Sequence, residues 1–167
     1  MDLSESERLI LSNQYRILEH LYPEEAGTFA EHRKIVEDGY TLNYEEISRH
    51  IFDGLSMEEC REVLDILSMH SVLHFSYQGL DDKEGITIRF SGFDGNSETK
   101  QMSYTRFYIE ELHRFAELIE IAQSDDFNSH HPTLRRYRLM LGEWNQCTDK
   151  NNLTREEISR IINVRIE

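Results

Sequence analysis

At four expected helix starts along this chain a small hydrogen-bonding residue is followed three positions later by glutamate: Ser4 and Glu7, Asn43 and Glu46, Ser56 and Glu59, Thr154 and Glu157. Each pair has the form of a capping box. The first side chain accepts from an N–H of the opening turn, and the glutamate reaches back to the cap's own N–H. Only two prolines stand among the 167 residues, so little interrupts what these starts begin. Such a chain is constrained towards many capped, amphipathic helices.

Behind Ser4, the residues Leu9, Ile10, Tyr15, Ile17, Leu18 and Leu21 form an apolar stripe that Pro23 ends. A second helix is predicted over 24–38, with Phe29, Ile35 and Val36 inward and Gly39 as its C-terminal punctuation. A short helix over 44–52, a turn at Asp53-Gly54 and a longer helix over 57–70 follow. The pattern then changes. Val72–Tyr77 and Ile86–Phe90 alternate apolar with polar and are rich in β-branched and aromatic residues, which predicts a two-stranded β-hairpin at 72–90. Gly92–Asn96 is a tight turn that needs positive φ. A long helix is expected over 102–123, apolar through Phe107, Tyr108, Leu112, Phe115, Leu118, Ile119 and Ala122. Pro132 stands as a first helical residue before Leu134, Tyr137, Leu141 and Trp144, and Ile158, Ile161 and Ile162 mark a last short helix. The expected fold is mainly α, a single multi-helical domain over 1–167 with about seven helices and one hairpin. Helix, turn, helix and hairpin across 41–93 are in winged-helix order.

Charge limits what such a unit could touch. The second helix of that winged-helix-like segment carries Glu58, Glu59, Glu62 and Asp65 against one Arg61, and the chain's formal charge is −14. A groove reader needs cations facing phosphate, so nucleic acid is disfavoured as a partner. The charge is uneven: residues 1–130 hold 27 acidic and 11 basic side chains, whereas 131–167 hold 5 and 7. The C-terminal part is thus complementary to the rest, and would favour docking on the body or on a second copy; the other reading is one helix with a basic face. No apolar run is long enough for a membrane span. The two cysteines and the absence of a basic, apolar leader are consistent with a cytoplasmic protein.

Catalytic signatures are missing. No Gly-x-Ser-x-Gly elbow, glycine-rich phosphate loop, Cys-x-x-Cys or His-Glu-x-x-His occurs. Glu110-x-x-His113 has the spacing of a helical di-iron ligand pair but no second copy. His70 and His74 are separated by the expected start of the hairpin. No catalytic residue, metal ligand or cofactor is assigned. Candidate partner or ligand contacts are Asn13 and Gln14, polar in the middle of an apolar stripe; Arg106; the adjacent His130 and His131; and the basic cluster Arg135, Arg136 and Arg138 around Tyr137.

Arg8-Leu9-Ile10-Leu11-Ser12-Asn13-Gln14-Tyr15, Gly92-Phe93-Asp94, Tyr104-x-Arg106-Phe107 and Tyr137-x-x-Met140-Leu141-x-x-Trp144 resemble the YfbU family of bacterial proteins, over nearly the whole chain. The resemblance implies a mainly helical cytosolic protein in a family without an established activity or cofactor. Three functions are open from the residues. The first is a non-enzymatic module that associates with itself or another protein. The second is a small-molecule binder or enzyme with a polar pocket near Asn13, Gln14 and Arg106. The third, against the acidity, is a winged-helix-like nucleic-acid regulator.

Overall fold

The computed structural model describes residues 2–51, 54–124 and 126–165, and it is mainly helical. The chain falls into two compact units, residues 1–53 and 54–167. In the first, α1 (Glu5–Leu21) and α2 (Ala26–Asp38) pack side by side, joined through a 3-10 turn at Pro23–Glu25. The Ser4–Glu7 capping box opens α1 as expected. Gly39, left-handed at φ +72°, closes α2. A short α3 (Tyr44–Ser48) follows, and Phe52 and Asp53 of the expected helix and turn lie outside the described residues. Asn43 forms no side-chain cap despite the Asn43–Glu46 spacing. Its backbone is already in the helical region, where a side chain cannot fold back over the opening N–H groups.

The second unit is built on α4 (Met57–Gln78), opened by the Ser56–Glu59 capping box. This helix runs straight through Val72–Tyr77, so the predicted hairpin at 72–90 does not exist. Among the described residues there is no strand ladder, only two single parallel bridges, Phe90 with Ala122 and Phe93 with Asn128. Short apolar runs satisfy both periods, and here burial chose between them. Val63, Ile66, Leu67, His70, Leu73 and His74 continue one helical face into the core, and no breaker stands before Gly79. Without its wing, the winged-helix-like segment over 41–93 fails as well. Residues 86–90 keep the expected alternation, Ile86, Ile88 and Phe90 buried with Thr87 and Arg89 exposed, but not its pairing.

The long helix expected over 102–123 is broken. α5 (Thr99–Arg106) continues into a π turn at Phe107–Glu111, and a 3-10 segment spans Ala116–Ile121. Between them His113 and Phe115 take φ of +52° and +58°, which ends helical hydrogen bonding. α6 (Leu134–Trp144) begins two residues after Pro132, and α7 (Arg155–Ile162) follows the Thr154–Glu157 capping box. The core gathers Ile66, Leu67, Leu73, Phe90, Phe93, Leu118, Ile158 and Ile161. No helix of the described residues is long and apolar enough to cross a membrane.

Candidate functional site

The first unit distributes polarity in an unusual way. Between α1 and α2 the contacts are largely polar. The Arg8 guanidinium donates to the carbonyls of Val36 (2.6 Å) and Glu37 (2.5 Å), closing the C-terminus of α2. The Ser12 hydroxyl donates to Glu37 at 2.7 Å, and Arg33 pairs with Glu19 at 2.7 Å and Glu37 at 3.2 Å. The Ser12 hydroxyl is the leading cause of a Glu37 carboxyl held below its usual range. Tyr15 and Phe29 supply the aromatic contact, and of the described residues only Ser12, Ile35, Val36 and Tyr44 are buried in this unit.

The outward face of α1 is the apolar one. Leu9, Ile10, Ile17 and Leu21 are 57–64% exposed. At 100° per residue they fall within about 120° of arc, the width of a face meant to be covered. Asn13 lies within that arc and Gln14 about 20° beyond its edge, and both are exposed. Ile10, Gln14, Ile17 and Leu21 follow the 4-3-4 spacing of a coiled-coil seam with one polar core position.

The other sequence-derived candidates are scattered, and most are engaged locally. Arg106 ends α5, faces Glu110 at 3.9 Å, and belongs to a different unit from Asn13 and Gln14. His130 and His131 are exposed in the loop before α6; the His130 amide donates to Asn128 and the His131 carbonyl accepts from Ser129. Arg135 is exposed on α6. Arg136 donates to the Ile162 carbonyl at 3.0 Å, and Arg138 grips Glu62 through two bonds of 2.6 and 2.9 Å. Tyr137 points the other way, buried, donating its hydroxyl to the Gly92 carbonyl. Arg155 with Asp82 and Arg160 with Glu143 likewise pair basic residues of the C-terminal part with acidic residues of its own unit. Glu110 and His113 are separated by the end of the π turn, and no group of three metal-ligating side chains forms among the described residues.

Glu98 was passed over in the sequence, and His70 was set aside with His74 on the expectation of a hairpin. Glu98 is buried and accepts from the Asp94 amide, the Thr133 amide and hydroxyl, and the Leu134 amide, so one carboxylate ties the Gly92–Asn96 turn to the start of α6. His70 is buried on the same α4 face as His74, a relation hidden once 72–77 was read as strand. The capping box at Ser56, with no breaker for twenty residues after it, was the signal that could have revealed this.

A family model for the YfbU domain matches residues 1–164. The UPF0304 protein MJECS11 of Methanocaldococcus jannaschii is 44% identical over 168 residues, which cover 96% of this chain and 99% of that relative. With one domain model spanning both units and a relative matching almost end to end, the chain belongs to the YfbU domain family.

Proposed function

We propose that this protein is a non-enzymatic interaction module whose first unit associates with a second copy of itself through the outer face of α1. The apolar stripe turned away from α2 carries this reading. Four large side chains left in water at roughly 100 Å² each supply about half of the ~800 Å² per partner of a standard interface. The flanking Asn13, Gln14, Arg16 and His20 extend the patch.

The spacing argues for a second copy over an unrelated partner. Ile10 and Ile17 stand three residues either side of the Asn13-Gln14 pair. A two-fold axis there sets Ile10 against Ile17 of the other copy, Asn13 against Gln14, and Glu7 opposite His20. That is the self-complementarity a closed dimer requires. A polar residue within an apolar seam fixes register at some cost in stability, which gives Asn13 and Gln14 a purpose as partner contacts. The basic helix α6 loses its place as the docking element, because Arg136 and Arg138 are held within their own unit. Asn13 and Gln14 belong to one unit and Arg106 to the other, so the polar-pocket alternative rests on no site within a single unit.

Light scattering on size-exclusion fractions tests the proposal. The expected result is a dimer mass that persists at high salt and falls to monomer in Ile17→Glu with circular dichroism unchanged. A wild-type monomer at every concentration, or a dimer indifferent to Ile17→Glu, refutes it.

A further inference from the structure

In the second unit a helix breaks where the sequence holds no breaker. From Asn96 to His131 the chain has no glycine and no proline. α5 nevertheless runs into the π turn at Phe107–Glu111, and His113 and Phe115 then take left-handed φ of +52° and +58°. A residue with a Cβ occupies that region at a cost; histidine visits it occasionally and phenylalanine rarely. Leu112, His113 and Arg114, which carry the reversal, are all exposed. The turn therefore holds backbone strain at the surface, and uses none of the residues that relieve it.

The same residues suit a straight helix better. At 100° per residue, Tyr104, Phe107, Tyr108, Leu112 and Phe115 fall within about 140° of arc. The reversal splits that stripe, leaving Phe107 39% and Leu112 41% exposed. Local preference and tertiary structure disagree here, a conflict that most of a natural chain avoids.

The docking of the chain beyond the turn holds it closed. Ala116–Ile121 packs on α4, where Ser71 donates to Glu117, and the Phe90 amide donates to the Ile121 carbonyl at 2.9 Å. Further along, Tyr137 donates to the Gly92 carbonyl, Arg138 to Glu62, and the Leu153 amide to the Ser76 hydroxyl at 3.0 Å. Each of these contacts joins a residue before the turn to one after it. A second copy offers the same partners.

We infer that residues 107–115 are a hinge for exchange between two copies: α5 straightens through it, and the chain from Ala116 onward docks on α4 of the other copy, which returns its own. The docking contacts re-form across the pair, and two left-handed residues are relieved in each chain. Short strained connections favour this route to a closed two-fold dimer. The straightened helices pass each other at the two-fold axis and cover Phe107 and Leu112. Opening requires partial unfolding, so freshly purified protein stays closed, and the exchange is separate from association through α1.

The test uses full-length protein carrying Ile17→Glu, so that the outer face of α1 does not contribute. Concentrated samples are warmed to just below the melting of the second unit, cooled, and sized by light scattering. The expected result is a dimer that survives dilution, because return requires opening again. His113→Gly relaxes the closed turn and weakens the straight helix, and His113→Ala does the reverse. With two chains contributing, the first should lower the dimer-to-monomer ratio at least about tenfold, and the second should raise it. Mixing a Glu62→Arg chain with an Arg138→Glu chain distinguishes exchange from side-by-side contact. Each variant alone sets like charges together, whereas exchange between the two joins unlike charges at both sites. Heterodimer should then form well above its statistical share. No dimer in any sample, equal yields from His113→Gly and His113→Ala, or heterodimer at the statistical share overturns the inference.

Discussion

An ideal Cβ placed on Gly92 lies 1.9 Å from the Phe127 carbonyl oxygen, and the residue holds φ +75° beside the bridge between Phe93 and Asn128. Neither side can move, because the Phe93 amide donates to that same carbonyl at 2.9 Å. Gly92→Ala should therefore cost about 3 kcal/mol or more in chemical denaturation. Gly142, within α6 with nothing within 4 Å of its ideal Cβ, is the opposite case. There Gly142→Ala should add about 0.5–1 kcal/mol by restricting the unfolded chain. His70 makes a prediction of a different kind. Its imidazole titrates near 4 when folded, chiefly through burial, and near 6.5 when unfolded. Between those values the unfolded chain binds a proton that the native state refuses, so stability falls as pH falls, by roughly 3 kcal/mol in all. Urea midpoints from pH 7 to pH 5, above the range of most carboxylates, should show this slope in the wild type and lose it in His70→Asn.

Helix starts were legible because a capping box is local chemistry. Ser4, Ser56 and Thr154 each accept from the amide three residues on, and each box is closed by its glutamate. Asn43 shows the limit, since the same spacing gives no cap when the preceding 3-10 turn has already set its backbone helical. The two cases separate on mutation. Ser56→Ala should cost about 1 kcal/mol, whereas Asn43→Ala should change stability by less than about 0.5 kcal/mol, both read from thermal melts. Helix ends were harder to read. Val72–Tyr77 favours strand by composition, but its side chains extend a face that Val63 and Ile66 had begun, and only tertiary burial decides such a contest. The break at His113 and Phe115 was hard to read in the sequence, because histidine takes positive φ only occasionally and phenylalanine rarely. Of the candidate contacts, Asn13 and Gln14 were legible as an interruption of an apolar stripe. The burial of His70 was not, because Phe90 and Tyr137, whose rings pack on it, are far from it in sequence.

On the scale of the whole chain, the two units differ in how they are stabilised. Residues 54–165 enclose an aromatic and aliphatic core around α4. The first unit buries Ile35, Val36 and Tyr44 and leaves Leu9, Ile10, Ile17 and Leu21 in water. A helical segment of about 50 residues with so small a core is near the lower limit of independent stability, and association is the usual remedy. Binding that favours the folded form raises its stability with the concentration of the partner, and in the proposed dimer the partner is the protein itself. Melting should thus resolve two transitions, and only one should move upward as protein concentration rises. Amide exchange read near the midpoint should place that transition in α1 and α2. Ile17→Glu should lower it and remove its dependence on concentration, leaving the transition of α4, α6 and α7 where it was. If both transitions shifted together, or neither did, the outer face of α1 would not be what holds the first unit folded.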